Sequence, residues 1–274
     1  MKNSTKYAFF TMDLESFYDT SCIRKRKPII NKNNQGYDGV TNYLNILDES
    51  NIKATLFLVH TSLDDNYELL KKAIENGHKI AFHGTAHDSV LKINDDEYFN
   101  SIKESKKAIE DKLGITIYGN RMPMFKIDNK KYNIIKKIFK YDSSILNKNK
   151  VDELNQYELI DSNTYYKDDF YEIPPTTYKH KNIGGGAFVR LTPWIIMKNR
   201  IKKYLKHNNT YVFYIHPFEL SKTKKDKIIG LNLLEKIFIK AKLKSYPKKL
   251  KWIINYLKKL NFSFTTIENY IKKD

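Results

Sequence analysis

The stretch that decides the fold begins with Lys53-Ala-Thr-Leu-Phe-Leu-Val-His60, continues through a helical pattern over residues 64–76, and ends with His78-Lys-Ile-Ala-Phe82. Both apolar runs have the length of buried strands, and the helical pattern between them ends at Gly77. Connections this short between strand, helix and strand favour a parallel pair. The stretch therefore predicts a βαβ unit of an α/β fold.

The same alternation extends over the rest of the chain. Further helices are predicted over residues 39–50 and 95–113, the second with Asn94 as its N-cap. Further strands are predicted at six short runs rich in β-branched and aromatic residues: 7–12, 116–119, 140–145, 170–173, 211–215 and 262–267. The pattern predicts an α/β barrel or an open parallel sheet, and no Pro/Gly/Ser-rich linker divides residues 1–274 into separate domains.

Composition excludes several classes of protein. The chain has 274 residues, of which 41% are apolar and 29% charged, as in a folded globular protein. No run approaches the roughly 20 apolar residues of a membrane-spanning helix, and the N-terminal stretch lacks the apolar region of a signal peptide, so a cytoplasmic location is expected. Cys22 is the single cysteine, so a metal site would have to use histidine and carboxylate ligands.

The net charge of +18 is unevenly distributed. Residues 221–274 contain 15 Lys and four acidic residues, and their two amphipathic helical patterns, 231–243 and 248–260, are expected to pack on the barrel flank. In the first pattern, one face carries Leu234, Ile237, Phe238 and Ala241. The excess indicates either attraction to anionic lipid, phosphate or nucleic acid, or a codon bias that also enriches Asn, Ile and Tyr. Nucleic acid is the weakest partner, because this excess contains no Arg.

Two segments interrupt the alternation. Residues 16–38 form a long polar insertion after the first strand, which is expected to lie over the C-terminal end of the barrel, where ligands enter. Residues 184–186 are three consecutive glycines, which indicate either a tight turn or a close approach of the backbone to a ligand.

Potential metal ligands follow two of the predicted strands. His83 and His87 come directly after the run 79–82, and an i, i+4 pair on a helical turn could chelate one divalent ion. Asp13 and Glu15 end the first strand and would point to the same side, where two carboxylates repel unless a cation or a proton lies between them. The alternative is that Asp13 caps a turn and Glu15 is solvated.

Three more polar side chains occupy equivalent positions. Arg121, Asp142 and His216 each lie at or just beyond the end of a different predicted strand. Because the C-terminal ends of barrel strands converge, the sequence predicts that all of these residues meet in one site.

In these motifs the chain resembles the polysaccharide deacetylases, the NodB-homology domain or carbohydrate esterase family 4. The resemblance extends over nearly the whole chain and rests on the acidic pair, Ala54-Thr-Leu-Phe57, Gly77-His-Lys-Ile80, His-x-x-x-His, Arg121-x-Pro123, Asp142-Ser and the His216 strand. The segments 184–190 and 214–219 are similar to a bacterial branch associated with cell-surface glycans. The family implies a distorted (β/α)7-type barrel and a metal-dependent removal of N-acetyl groups from sugars.

The resemblance also implies a role for each residue. The metal ligands would be His83, His87 and Glu15, and the metal zinc, with Co, Mn or Fe as alternatives. Asp13 would be the general base, His216 the general acid, Arg121 and Asp142 the groups that orient the base, and the backbone N–H near Met124 an oxyanion donor. The family's adjacent Asp-Asp is Asp13-Leu-Glu15 here, so the metal carboxylate is Glu15 or is absent, unless the two roles are reversed and Asp13 is the ligand.

Two functions therefore remain open. One is deacetylation of an N-acetylated amino sugar in a glycan or a glycan precursor, free or linked to phosphate or lipid, with peripheral contact at the inner membrane face. The other is a glycan- or anion-binding protein on the same scaffold that has lost turnover.

Overall fold

A single curled sheet organises the computed structural model, which describes residues 5–146, 155–223 and 228–272. Its strands and those of a small separate hairpin are β1 (Tyr7–Leu14), β2 (Ala54–Leu58), β3 (Lys79–Phe82), β4 (Gly119–Asn120), β5 (Tyr141–Asp142), β6 (Glu158–Asp161), β7 (Thr164–Lys167), β8 (Phe170–Glu172), β9 (Thr177–Tyr178), β10 (Lys181–Asn182), β11 (Thr210–Ile215) and β12 (Ser263–Phe264). Seven strands run parallel in the order β11-β1-β2-β3-β4-β5-β8. The predicted distorted (β/α)7-type barrel is confirmed, as a half-barrel whose far edge continues into antiparallel β7 and β6.

The helices cover the outside of this sheet. They are α1 (Ser21–Arg24), α2 (Asp38–Asp48), α3 (Tyr67–Glu75), α4 (Asp95–Leu113), α5 (Asn129–Ile138), α6 (Gly186–Leu191), α7 (Trp194–Leu205), α8 (Leu233–Lys240), α9 (Tyr246–Lys259) and α10 (Ile267–Ile271). The bounds of α4 are those predicted, because the Asn94 side chain caps its first turn and Gly114 ends it at φ 65°. None of the helices in the described ranges is long and apolar enough to cross a membrane.

Alternate side chains of the strands are buried on opposite faces of the sheet. In β1, Phe10 and Met12 pack against the helices, whereas Phe9 packs inside the barrel with Phe57 of β2 and Val212 of β11. Burial on both faces explains the nearly continuous apolar runs of these strands. It also fixes the strand ends, and with them the polar residues that follow.

The consecutive glycines connect the end of the barrel to β11. The Tyr214 N–H donates to the Gly184 carbonyl at 2.7 Å, and a Cβ on Gly185 would lie 1.8 Å from the Tyr214 carbonyl oxygen. Gly185 also has φ 137°, a conformation that side chains disfavour. At Gly185 the glycines therefore allow one backbone to approach another, and a close approach to a ligand stays a prediction.

Two further predictions, the strand at residues 262–267 and the buried face of residues 231–243, are wrong. Residues 262–267 yield only the two-residue strand β12, and Ile267 begins α10 instead. The buried face predicted for residues 231–243 is also wrong: Leu234 and Ile237 are 76% and 45% exposed, whereas Ile239 is buried. The reason is that α8 packs through Ile239 onto Phe17 and Phe218, beside the 16–38 insertion, and not onto the barrel flank.

Candidate metal and acid–base site

The predicted site residues lie where the parallel strands end. Asp13 is the penultimate residue of β1, Asp142 is the last of β5, and His83, Arg121 and His216 directly follow β3, β4 and β11. A pocket of about 420 Å³ opens at this edge of the sheet, a volume suited to a small ligand. Its lining includes five of the predicted residues and the segment of the predicted backbone donor: Asp13, Glu15, His83, His87, His216 and Met124.

Glu15, His83 and His87 form a compact buried group. Each offers one ligand atom, and these atoms lie within 4.8 Å of one another. The Glu15 Oε2 atom is 2.5 Å from His87 Nε2 and 3.9 Å from His83 Nε2. Burial alone would raise the pKa of Glu15, but the adjacent His87, His216 and His83 outweigh it and hold that pKa well below its usual value. Glu15 is therefore a carboxylate, as a metal ligand must be.

The hydrogen bonding of His83 fixes which ring nitrogen faces the group. His83 Nδ1 lies 2.7 Å from the Arg121 carbonyl oxygen, which can only accept, so Nδ1 carries the hydrogen. In the neutral ring Nε2 then presents a lone pair, and in this structure that buried atom has no hydrogen-bond partner among the described residues. Orientation of a ligating His by a carbonyl is typical of metal sites, so the residues fit a divalent ion.

The segment from His83 to His87 is bent, and not the helical turn that the i, i+4 spacing suggested. Gly84 has φ 90°, and a Cβ there would lie 2.9 Å from Pro123 Cγ. The turn at Gly84 brings both imidazoles toward Glu15, with ring centroids 5.6 Å apart.

Asp13 is held by Arg121 and not by the histidine pair. An Arg121 Nη1 hydrogen bond of 2.6 Å reaches Asp13 Oδ1, and the same nitrogen donates to Thr11 Oγ1 at 2.8 Å. The other guanidinium nitrogens donate to the carbonyl and the hydroxyl of Ser143. Both partners of the ion pair are buried, so the Asp13 carboxylate has a fixed orientation at the edge of the pocket.

His216 also lines the pocket and is oriented by Glu219. The His216 Nδ1–H donates to Glu219 Oε2 at 3.1 Å, and Glu219 Oε1 accepts from the fully buried Arg190 at 2.7 Å. Burial alone would lower the pKa of His216, but the carboxylates of Glu15 and Glu219 raise it to about 9. His216 Nε2 is 3.9 Å from Glu15 Oε1, so a protonated imidazole faces the candidate ligands.

Comparison with known families accounts for this arrangement. Residues 25–139 match the family model described as polysaccharide deacetylase, and residues 153–272 match a model described as a domain of unknown function, DUF3473. Over residues 25–139 the chain is therefore similar to the polysaccharide deacetylases. This confirms the resemblance inferred from the motifs.

A curated protein similar to part of this chain is named for the substrate it deacetylates. The chain is 34% identical over 71 residues to a peptidoglycan-N-acetylglucosamine deacetylase, PgdA, of Listeria monocytogenes; the match covers 26% of this chain and 15% of that protein. The chain thus spans a small part of the length of this curated relative.

Solved structures support the fold across the chain. A Mycobacterium smegmatis protein assigned to the polysaccharide deacetylases superposes with a TM-score of 0.66 at 14% identity, covering 100% of this chain and 91% of the other. A CE4 family pseudoenzyme from Bacillus anthracis gives 0.57 at 13% identity, covering 98% of this chain and 66% of the other. The same fold therefore occurs in a protein described as inactive.

Asp142 is the predicted site residue that lies away from its expected contact. Asp142 accepts from Asn120 at 2.6 Å and from Ser144 at 2.8 Å, and the structure gives it no contact with Arg121, whose partner here is Ser143. Asp142 therefore does not touch the Asp13–Arg121 pair. Its link to that pair is indirect, because the Ser144 hydroxyl donates to Asp142 and accepts from the N–H of Met122, the residue after Arg121. Met124 lies at the pocket with φ 58°, and the role of its backbone N–H remains a prediction.

The motifs did not assign a role to Glu219 or Arg190. Glu219 could have been noticed in His216-Pro-Phe-Glu219, because a carboxylate three residues after a strand-end histidine can return to its ring. Arg190 gave no such signal, since its partner lies 29 residues away along the chain.

Proposed function

We propose that this protein is a metal-dependent hydrolase that removes the N-acetyl group from an amino sugar in a glycan or a glycan precursor. The observation that carries the proposal is the buried Glu15–His83–His87 group, which shares one pocket with Asp13 and His216. The match of residues 25–139 to the polysaccharide deacetylase model supports the reaction, and the peptidoglycan deacetylase relative supports the class of substrate.

The proposed metal ligands are Glu15, His83 and His87. A divalent ion held there, zinc by preference and Co, Mn or Fe as alternatives, would supply Lewis acidity and lower the pKa of a water molecule. Three protein ligands are the number that catalytic zinc sites use, since they leave a position for water or substrate.

The remaining residues would move and hold protons. Asp13, oriented by its hydrogen bond from Arg121, would accept a proton from the attacking water. His216, oriented through its Nδ1–H by Glu219, would donate a proton to the departing amine. A backbone N–H near Met124 would donate to the oxyanion. Asp142 would act indirectly, by holding the strand end that carries Ser143.

The charge at the pocket mouth bears on the form of the substrate. Lys25 and Lys126 line the pocket and are exposed at its entrance. They support a sugar linked to phosphate, as in a nucleotide sugar or a polyprenyl phosphate carrier, over a neutral polymer. Such a substrate and the 15 lysines of residues 221–274 support peripheral contact with a membrane. A cytoplasmic location is also part of the proposal.

The second candidate function is glycan or anion binding without turnover. The specific observations in its favour are the Asp13-Leu-Glu15 spacing, which departs from the family's adjacent pair, and the likeness in fold to the Bacillus anthracis pseudoenzyme. A binding protein would keep the pocket and its lysines but release no acetate.

Metal analysis combined with acetate release separates the two candidates. Purified protein loaded in turn with Zn, Co, Mn and Fe is assayed on a neutral N-acetylglucosamine oligomer, a nucleotide-linked N-acetylhexosamine and a polyprenyl-phosphate-linked one. We expect one metal per chain and acetate release from at least one substrate. Stoichiometric metal with no release from any of them would favour the binding protein, and failure to bind metal would contradict the proposed site.

A further inference from the structure

Exposed aliphatic side chains are concentrated on α8 and the turn before it. Ile229 and Leu233 are 88% and 72% exposed, and Leu234 and Ile237 are also exposed. A second group lies in the insertion that follows β1, where Ile29 and Ile30 are exposed. A soluble surface normally carries such residues singly, so a cluster indicates contact with another apolar phase.

Contacts within the chain make these two groups neighbours. The Arg26 guanidinium, three residues before Ile29, donates to the Gly230 carbonyl at 3.0 Å and to Glu235 of α8 at 2.7 Å. Beneath them, Ile239 of α8 and Ile23 of α1 share one buried cluster. We call the exposed residues Ile29, Ile30, Ile229, Leu233, Leu234 and Ile237, together with the basic residues around them, the α8 surface.

The α8 surface borders the candidate active site. Phe238 of α8 lines the pocket, and so do Arg24 and Lys25 of the insertion. Arg190, which holds Glu219 and through it His216, also donates to the carbonyls of Phe238 and Ala241 at 2.5 Å. The helix that carries the exposed aliphatic side chains is therefore hydrogen-bonded to Arg190 and forms part of the pocket lining through Phe238.

The charge of this surface selects one kind of partner. Residues 24–32 and 228–244 contain nine Lys and Arg and one acidic residue, Glu235. Lys25, Lys27, Lys236 and Lys240 are exposed beside the aliphatic side chains. Large aliphatics flanked by lysines with almost no acidic groups are the composition of a helix that lies in the interface of an anionic bilayer.

We propose that the α8 surface docks onto an anionic lipid bilayer, with its leucines and isoleucines at the acyl boundary and its lysines among the headgroups. Docking would hold the pocket mouth at the membrane surface, within reach of a lipid-linked sugar. The docking itself is independent of turnover, whereas its value for substrate capture rests on the proposed deacetylase function.

Vesicle co-sedimentation tests the docking. The full chain is mixed with vesicles of phosphatidylcholine alone or of equal parts phosphatidylcholine and phosphatidylglycerol, at low and high salt. We expect binding to the anionic vesicles only, weakened by salt. The double variant Leu233→Ser/Leu234→Ser should bind at least about tenfold more weakly, because two buried aliphatic side chains are lost. Lys236→Gln/Lys240→Gln should weaken binding and its dependence on salt.

A matched control carries the same change elsewhere. Leu159→Ser/Ile160→Ser alters two exposed aliphatics on β6 and should bind vesicles as the unaltered chain does. Equal binding by the two serine variants would overturn the proposal. So would failure to bind either vesicle, or an unaltered chain that is a dimer by light scattering and becomes a monomer in Leu233→Ser/Leu234→Ser, since the surface would then fit a second copy.

Metal content and acetate release from a soluble substrate are measured on the same variants. The α8 variants should keep both, because their altered side chains are exposed and do not line the pocket. A chain that docks without releasing acetate would contradict the proposed function alone, and one that releases acetate without docking would contradict this proposal alone.

Discussion

At the residue scale, the two imidazoles are expected to serve the metal more than the fold. His83→Ala or His87→Ala should reduce bound metal from one per chain to near zero and abolish acetate release, because each removes one of three ligands. Thermal unfolding should change little, since strand-end residues of a barrel serve function more than stability. His207→Ala, at an exposed histidine away from the pocket lining, is the control and should keep its metal. Full activity with stoichiometric metal in either variant would reject the assignment.

Variants of the two carboxylates, Asp13 and Glu15, are expected to give different results in the same metal and acetate assays. Asp13→Asn should keep the metal and lose turnover by about 10² to 10⁴-fold, because it removes a general base that Arg121 holds beside the pocket. Glu15→Gln should lose the metal, because it alters the oxygen nearest His87. The reverse pattern, metal lost in Asp13→Asn and kept in Glu15→Gln, would show that the assigned roles are exchanged.

Positions after strands were predictable, whereas contacts between distant loops were not. Each pocket residue of the site follows or ends an apolar run, so the convergence of parallel strands was enough to group them. The supporting residues depend on pairings that no local pattern encodes. Arg190 meets Glu219 because the glycine segment lies along β11, and Ser143 meets Arg121 because β4 and β5 pair.

At the scale of elements, the pairing of β5 and β8 buries two carboxyl groups against each other. Asp142 and Glu172 are register partners, and Glu172 also accepts from the Ile145 N–H at 3.0 Å. Burial and the nearby Asp142 raise the pKa of Glu172 well above 4.5. Burial also raises the pKa of Asp142 above 3.8. The raised pKa means that the folded chain keeps a proton on this pair which the unfolded chain releases at lower pH, so this part of the sheet is sensitive to pH.

Linkage gives the sign of that sensitivity. Above pH 4.5 the unfolded chain releases the Glu172 proton that the folded chain keeps, so folding stability falls as pH rises toward the folded pKa. Glu172→Gln mimics the protonated group and should flatten this fall, by up to about 1.4 kcal/mol per pH unit within the window. Urea unfolding from about pH 5 to about pH 9 measures it.

The control for the strand pair is Glu158→Gln, at an exposed glutamate of β6. Its stability should follow that of the unaltered chain across the same pH range. If the Glu172→Gln curve also ran parallel to that of the unaltered chain, the folded chain would not be keeping a proton on the carboxyl pair.

Helix α8 shows why an element can be predicted while its orientation is not. Its apolar residues occur nearly all around the helix, so periodicity could not choose a buried face. The buried face of α8 is determined by the 16–38 insertion, because Phe17 and Ile23 of that insertion are the packing partners of Ile239. By contrast, α9 buries Leu250, Ile253 and Ile254 as an ordinary amphipathic stripe, and its role on the barrel was predictable.

At the scale of the whole molecule, composition established one α/β unit and an excess of positive charge, but not where that charge acts. The fold brings Lys25 of the insertion and Lys126 after β4 to the same pocket mouth, although 101 residues separate them. Only the paired strands beneath them establish that proximity. A net charge of +18 adds a long-range attraction that raises the encounter rate with anionic substrates.

The preference for a phosphate-linked sugar follows from this field and can be measured through its dependence on salt. For a nucleotide-linked N-acetylhexosamine, kcat/KM should fall as sodium chloride is raised, because screening shortens the attraction to about 8 Å at physiological ionic strength. For a neutral N-acetylglucosamine oligomer it should stay nearly constant. Lys25→Gln/Lys126→Gln should lower kcat/KM for the charged substrate several-fold at low salt and leave kcat/KM for the neutral substrate unchanged. The control, Lys107→Gln/Lys112→Gln on α4, lies outside the pocket lining and should change kcat/KM for neither substrate. Parallel salt curves for the two substrates would mean that the lysines at the mouth do not select phosphate, and the charge would then have to be explained by the α8 surface or by codon bias.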